Sequence, residues 1–297
     1  MAKRWQKLDK YSPWRKISMG LWTPPDDPTI YGKETVDVSN LIPYLDEVSE
    51  ASGVRVTVPA YTAALMADIL RTHPDLNVMP IGNHICQRET IDVFCQVAVS
   101  SGSAGSADLS GIKLREADDL DLVEVATLLR SKAGDVRDGK NVEMEESKRF
   151  VHLIPNALMG AMLNFLDFLT YSIPWDLDAV GVRSDPFGSC MVTSVGQFDI
   201  KQGFAPLVPG SHCPLVALPG KVWRKPFATE DDEVEVRDAL TMSCTFDHRC
   251  YDGLQIGYIV REMRSRLMYP RKHFPEPSHW ADASEESGDA DETVAAE

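Results

Sequence analysis

The sequence predicts an α/β fold, and three observations carry that prediction. Within Asp238–Asp247, Leu240, Met242, Cys244 and Phe246 fall on one side and Thr241, Ser243 and Thr245 on the other. That two-residue period is the mark of a half-buried strand. From Leu254 to Leu267 the period changes: Leu254, Ile256, Ile259, Val260, Met263 and Leu267 recur at three and four residues, one face of a helix. The third observation is bulk, since 297 residues at 43% hydrophobic and 25% charged can bury one substantial core or two small ones. No internal repeat of roughly 20–50 residues is visible.

The strand gives way to the helix across Thr245-Phe-Asp-His248-Arg-Cys-Tyr-Asp252-Gly253. A histidine at such a junction can be held rigidly and still face a substrate. Its ordinary pKa, roughly 6.5, suits it to moving a proton at cell pH. Asp252-Gly253 reads as a turn in which Gly253 opens the helix.

These residues resemble the HxxxDG signature, in the extended form TFDHRxxDG, of two related groups: the catalytic cores of the dihydrolipoamide acyltransferases of 2-oxo acid dehydrogenase complexes, and the chloramphenicol acetyltransferases. Other segments resemble the family in the same order. Arg55–Val58 followed by Ala63–Asn77 is similar to a helix and its closing turn. Gln87–Val99 is similar to a strand ending in Ala-Val, and Ile112–Asp119 with Leu122–Lys140 to a strand and the helix after it. Gly188–Gly196 is similar to a strand carrying a serine or threonine, here Thr193. Phe204–Leu207 and Pro214–Val222 are similar to the next loop and strand. Pro13-Trp-Arg15-Lys resembles a Trp-x-Arg-Lys segment of the chloramphenicol enzymes. The resemblance covers most of residues 13–270.

The resemblance implies a chloramphenicol acetyltransferase-like mixed sheet flanked by helices, in a homotrimer with its active site at the subunit boundary. It implies acyl transfer between acyl-coenzyme A and a thiol such as a lipoyl group, through a direct ternary complex. His248 is then the base that takes the thiol proton, one ring nitrogen held by the histidine's own backbone carbonyl, and Thr193 the hydroxyl that stabilises the oxyanion. Asp252 pairs with an arginine, for which Arg15 is the candidate, and with Gly253 fixes the loop that carries the histidine. Two other functions fit the same residues: acetylation of a small hydroxyl compound, and a non-catalytic trimeric scaffold that keeps the fold.

The sequence departs from that family in three places. A catalytic domain over 1–274 accounts for the chain, so a lipoyl group would come from a separate protein, or the acceptor is a different one entirely; a lipoyl carrier protein or dehydrogenase components are the expected partners. Residues 141–187 form an insertion whose stretch Leu153–Leu169 carries one helical stripe at Leu158, Met162, Phe165 and Leu169 and another at Met159, Leu163 and Leu166. Packing or oligomer contact, an acyl-chain lid, and membrane-surface contact all fit that broad apolar face. A Gly/Ser-rich stretch, Ser100–Ile112, replaces a family segment near the substrate channel and is expected to be loose.

Charge and cysteine bound the rest. Eight of the acidic residues behind the net charge of −15 follow Phe274, where no lysine or arginine occurs, so 275–297 reads as an acidic disordered tail. The acidic balance argues against nucleic acid. Six cysteines without a CxxC pair argue against zinc, and no other metal is expected; Cys190 and Cys244 read as small core residues. Met1–Lys16 is basic without an apolar stretch, so the expected setting is cytoplasmic.

Overall fold

The computed structural model describes residues 27–81, 84–99, 108–137, 185–208 and 210–281, with isolated positions between 158 and 171. Arg15 lies outside the described residues, as does most of the 141–187 insertion. In chain order the elements are β1 (Thr29–Asp37), α1 (Leu41–Ser52), α2 (Val58–Thr72), β2 (Val78–Ile81), β3 (His84–Gln87), β4 (Val93–Val99) and β5 (Asp108–Leu114). There follow α3 (Leu122–Arg137), β6 (Cys190–Val192), β7 (Leu215–Pro219), β8 (Trp223–Ala228), β9 (Val234–Asp247), α4 (Gly253–Met268) and α5 (Pro270–His273).

Among the described residues, seven strands form one mixed sheet in the order β1-β9-β7-β6-β4-β5, with β8 paired to the first part of β9. β4, β6 and β7 run parallel, and β1, β7 and β8 are antiparallel to β9. β2 and β3 make a separate hairpin. The alternation of β9 sorts its two faces as its composition requires. Leu240, Met242, Cys244 and Phe246 join Val93, Cys190, Leu215 and Ala217 in the main core. Helix α2 closes that face, against β4, β6 and β7, with α4 beside it on β1. Ala60, Ala63, Ala64 and Ala67 are all buried on α2, and these small side chains let its backbone approach the sheet. Thr57 caps its first turn, accepting from Ala60 N at 3.4 Å, and Pro59 fits there because its missing N–H is not needed.

The opposite face is covered differently. Phe94, Met191 and Val216 point there, with Cys213, and are closed over by Phe187, Ala205 and Leu207 from the segments that flank β6 and precede β7. No element longer than a turn covers this face among the described residues.

Several boundaries differ from expectation. The segment Gln87–Val99 is two strands, because Arg88–Asp92 turns between the β2–β3 hairpin and the main sheet. The expected loose stretch is shorter: Asp108–Ile112 pairs in register with Cys95–Val99 as part of β5. Gly111 is required there, since a Cβ would lie 1.9 Å from the Phe94 ring. Residues 275–281, expected to open the tail, are packed on the fold. Tyr44 donates to the Pro275 carbonyl at 2.8 Å, and Trp280 is buried with its indole N–H 3.3 Å from Asp121 Oδ2. Trp280, the sixth residue after Phe274, docks that stretch. At the insertion, Leu158, Phe165 and Phe168 are exposed.

Candidate active site

The site is built at the end of β9. Asp247 is buried, and its backbone oxygen accepts from Cys250 N and Tyr251 N, each at 3.0 Å, which folds 247–251 into a tight turn. Its carboxylate takes a forked pair of bonds from Arg249, Nε to Oδ1 at 3.0 Å and Nη2 to Oδ2 at 2.7 Å. Tyr251 is buried and donates to the Leu76 carbonyl at 2.8 Å, pinning the far side of the turn to the core. His248 N donates to the Pro28 carbonyl at 2.8 Å. The histidine is thus fixed between buried Asp247, buried Tyr251 and the half-buried Pro28, while it is itself exposed.

The ring is oriented by one bond. His248 Nδ1 lies 3.0 Å from the carbonyl oxygen of Tyr251. A carbonyl can only accept, so Nδ1 carries the proton and Nε2 presents its lone pair. The partner differs from the expected one: it is the Tyr251 carbonyl and not the histidine's own, because the 247–251 turn brings the third carbonyl onward back over the ring. No sequence signal marks this, since every residue has a carbonyl.

Asp252 is the N-cap of α4. Its Oδ1 accepts from Leu254 N at 2.8 Å, and its own N–H donates to Gln255 Oε1 at 3.3 Å, which makes a capping box with Gly253 as the first helical residue. Arg15, its expected partner, lies outside the described residues.

Thr193 follows β6 directly, half-buried, its N–H donating to the Ala217 carbonyl at 3.1 Å. Within one chain it is far from His248. Val192 registers with Ala217, and Ala217 with Cys244, so Thr193 lies level with Ser243. His248 is five residues further along β9, about 16 Å at the usual strand rise of roughly 3.3 Å. The structure therefore places the two predicted chemical groups toward opposite ends of the central strands.

A cavity of about 670 Å³ opens past the end of β6; Val192, Ser194 and Gly220 line it, and Thr193 between the first two does not. The first turn of α2 also faces it, and Arg55, Arg130 and Lys221 bring three positive charges to its wall. A helix N-terminus with three cations favours an anion. Arg130 and Lys221 carry no motif and were not singled out from the sequence. Among the described residues no group of three or more His, Cys, Asp or Glu could hold a metal ion, and no helix is long and apolar enough to cross a membrane.

The fold is shared with two solved structures. One is a probable dihydrolipoamide acetyltransferase from Listeria monocytogenes, 19% identical, TM-score 0.59, covering 91% of this chain and 97% of that one. The other is the dihydrolipoamide acetyltransferase of Azotobacter vinelandii, 18% identical, TM-score 0.59, covering 83% of this chain and 84% of that one. The latter was studied for a serine, a histidine and an asparagine in its catalytic mechanism, the last two four positions apart. In sequence, residues 187–274 match the family described as 2-oxoacid dehydrogenases acyltransferase (catalytic domain), and it is this family that the chain resembles. That stretch runs from before β6 to the end of α5 and holds Thr193, His248, Asp252 and Gly253. A curated relative is the lipoamide acyltransferase component of the branched-chain alpha-keto acid dehydrogenase complex of Bacillus subtilis, 22% identical over 236 residues. The alignment takes in 78% of this chain and 45% of that protein, so the chain spans less than half the relative's length.

Proposed function

We propose that this chain catalyses acyl transfer between acyl-coenzyme A and a thiol, with a lipoyl group as the acceptor. The observation that carries the reading is the His248 ring: Nδ1 is tied to the Tyr251 carbonyl, leaving Nε2 exposed as a base at the end of a rigid strand. Nε2 takes the proton of the attacking thiol. The thiolate sulfur bonds to the thioester carbonyl carbon, and the oxyanion that forms is stabilised by the Thr193 hydroxyl. Collapse breaks the old carbon–sulfur bond, and the imidazolium returns its proton to the departing sulfur. No acyl-enzyme is needed, because both sulfur groups are held together.

The spacing of the two groups supports a homotrimer. One chain keeps Thr193 about 16 Å from His248 along the strand, so a working pair takes His248 from one subunit and Thr193 from its neighbour. The cationic cavity past the end of β6 suits the phosphates of coenzyme A. Asp252 caps α4 directly behind the turn that carries His248. Like the relatives named for dehydrogenase complexes, the trimer would work with the other components of such a complex.

The test is free-thiol release from acetyl-, isobutyryl- and longer acyl-coenzyme A with dihydrolipoamide as acceptor. His248→Ala should lower turnover by about 10²–10⁴-fold, the range for a general base. Turnover that survives the substitution unchanged, or none with any donor in the wild type, would sink the reading. Co-refolding His248→Ala with Thr193→Ala chains should regain activity that neither variant has alone; no recovery would argue against the shared site.

A further inference from the structure

Two exposed aromatic rings stand on the strand edge beside His248 with no part in the fold's core. Tyr31 is 49% exposed and Phe204 47%, and they meet edge to face with centroids 5.3 Å apart. Both are held firmly from behind. Tyr31 sits opposite Thr245 in the β1–β9 ladder, on the same face. The Thr245 hydroxyl donates to the Ala205 carbonyl at 2.7 Å, fixing the residue next to Phe204 to β9. Lys33 Nζ donates to Gln202 Oε1 at 2.8 Å and ties the same loop to β1 from the other direction. The loop's other end is anchored at Gly220, where a Cβ would lie 2.0 Å from the Lys201 carbonyl oxygen.

Placement relative to the histidine is set by the backbone. Pro28, three residues before Tyr31, accepts from His248 N. Tyr31 is therefore about 10 Å along the strand from the base, within reach of a substrate whose thiol lies at Nε2. The cationic cavity lies at the other end of β7, where its charges suit a phosphorylated donor. The aromatic pair carries no charge of its own. Rings kept rigid, half-exposed and paired present apolar surface at low entropic cost, which fits an uncharged hydrocarbon body.

We infer that Tyr31 and Phe204 form the wall that binds the acceptor, and that they select a thiol carried on an apolar chain. This rests on the acyl-transfer reading above, with the donor at the cationic cavity and the acceptor at the aromatic pair. Tyr31 and Phe204 are specificity-determining residues and take no part in the proton transfer.

Binding of oxidised lipoamide, measured by calorimetry on the full chain, tests this without turnover. The wild type should bind, and Phe204→Ala and Tyr31→Ala should each weaken binding by roughly tenfold. Tyr31→Phe should restore it, because the ring and not the hydroxyl makes the contact. Acyl-coenzyme A affinity should stay within about twofold. Sedimentation velocity on the same variants should show the wild-type assembly. Absence of lipoamide binding in the wild type, unchanged affinity in both alanine variants, or loss of assembly would each overturn the inference, the last by giving the rings to a subunit contact. Failure of the turnover assay with lipoamide binding intact would instead count against the acyl-transfer reading.

Discussion

Replacing Asp252 by alanine separates two roles that the HxxxDG pattern leaves entangled. In the structure the carboxylate accepts from Leu254 N at 2.8 Å and is half of a capping box with Gln255. Loss of an N-cap aspartate costs about 1 kcal/mol, with a range of roughly 0.5–2. The turn that holds His248 does not depend on it: the Asp247 carbonyl bonds, the Arg249 fork and the Tyr251–Leu76 bond all remain. For a folded unit of this size, 1 kcal/mol shifts Tm by about 2–4 °C. Asp252→Ala should therefore melt about 2–4 °C lower and keep its turnover within about tenfold. Asparagine caps as well as aspartate, so Asp252→Asn should match the wild type in both respects. Differential scanning fluorimetry and thiol release on the three proteins decide the matter. A loss of turnover beyond a hundredfold in Asp252→Asn with Tm unchanged would refute the capping argument, since only the charge would have been removed.

Acid stability should report on Asp37. Burial alone would raise its pKa, but bonds from Ser39 N at 3.0 Å and from Arg237 at 2.8 Å outweigh that and hold it below the ordinary value. The folded carboxyl thus binds its proton less readily than the unfolded one, so its stabilisation is complete above the unfolded pKa and fades as pH falls through the folded one. Asp37→Asn should lower Tm at neutral pH, with the gap to wild type closing below about pH 4, as melting curves across pH would show. The thiols offer a second check. Burial pushes Cys95, Cys213 and Cys244 up to about 12 and Cys190 well above its ordinary range, while Cys250 is raised to about 11 by burial and then by Asp247. Only Cys86 and Cys250 are partly accessible. A thiol-disulfide reagent should label those two slowly in the native protein and all six cysteines once it is denatured; rapid labelling of more than two would contradict the burial.

Much of the sheet was legible because its residues obey one rule at a time. β9 alternates strictly over its core half, and the helix after it changes period at Gly253, so both were readable with their junction. The first four residues of β9, Val234–Arg237, were not: Val234 and Val236 are exposed there, and pairing with β8, not burial, makes the strand. β5 was hidden for a related reason, since Ser110 and Gly111 suggest a loop until Phe94 across the ladder explains the glycine. At the site, His248, Asp252 and Gly253 stood out by spacing. What the spacing could not supply was the Tyr251 carbonyl, which has no side-chain signature, or the cations of the cavity, which are brought together from α3, the approach to α2 and the β7–β8 turn. Trp280 was missed because composition was averaged over a charged stretch in which one indole outweighs its neighbours.

β9 has a consequence for how this chain can change over time. One strand of 14 residues is paired at once with β1, β7 and β8, and it ends on the histidine. Inserting or deleting a single residue in its core half would turn Thr241, Ser243 and Thr245 toward the helices and swing Met242, Cys244 and Phe246 to the other face. The same slip would advance or retract His248 by one position relative to everything around it. Length variation among descendants of this chain should therefore gather in the turn at Thr229–Glu233 and in the stretch between α3 and β6, leaving β9 at constant length even where its residues drift.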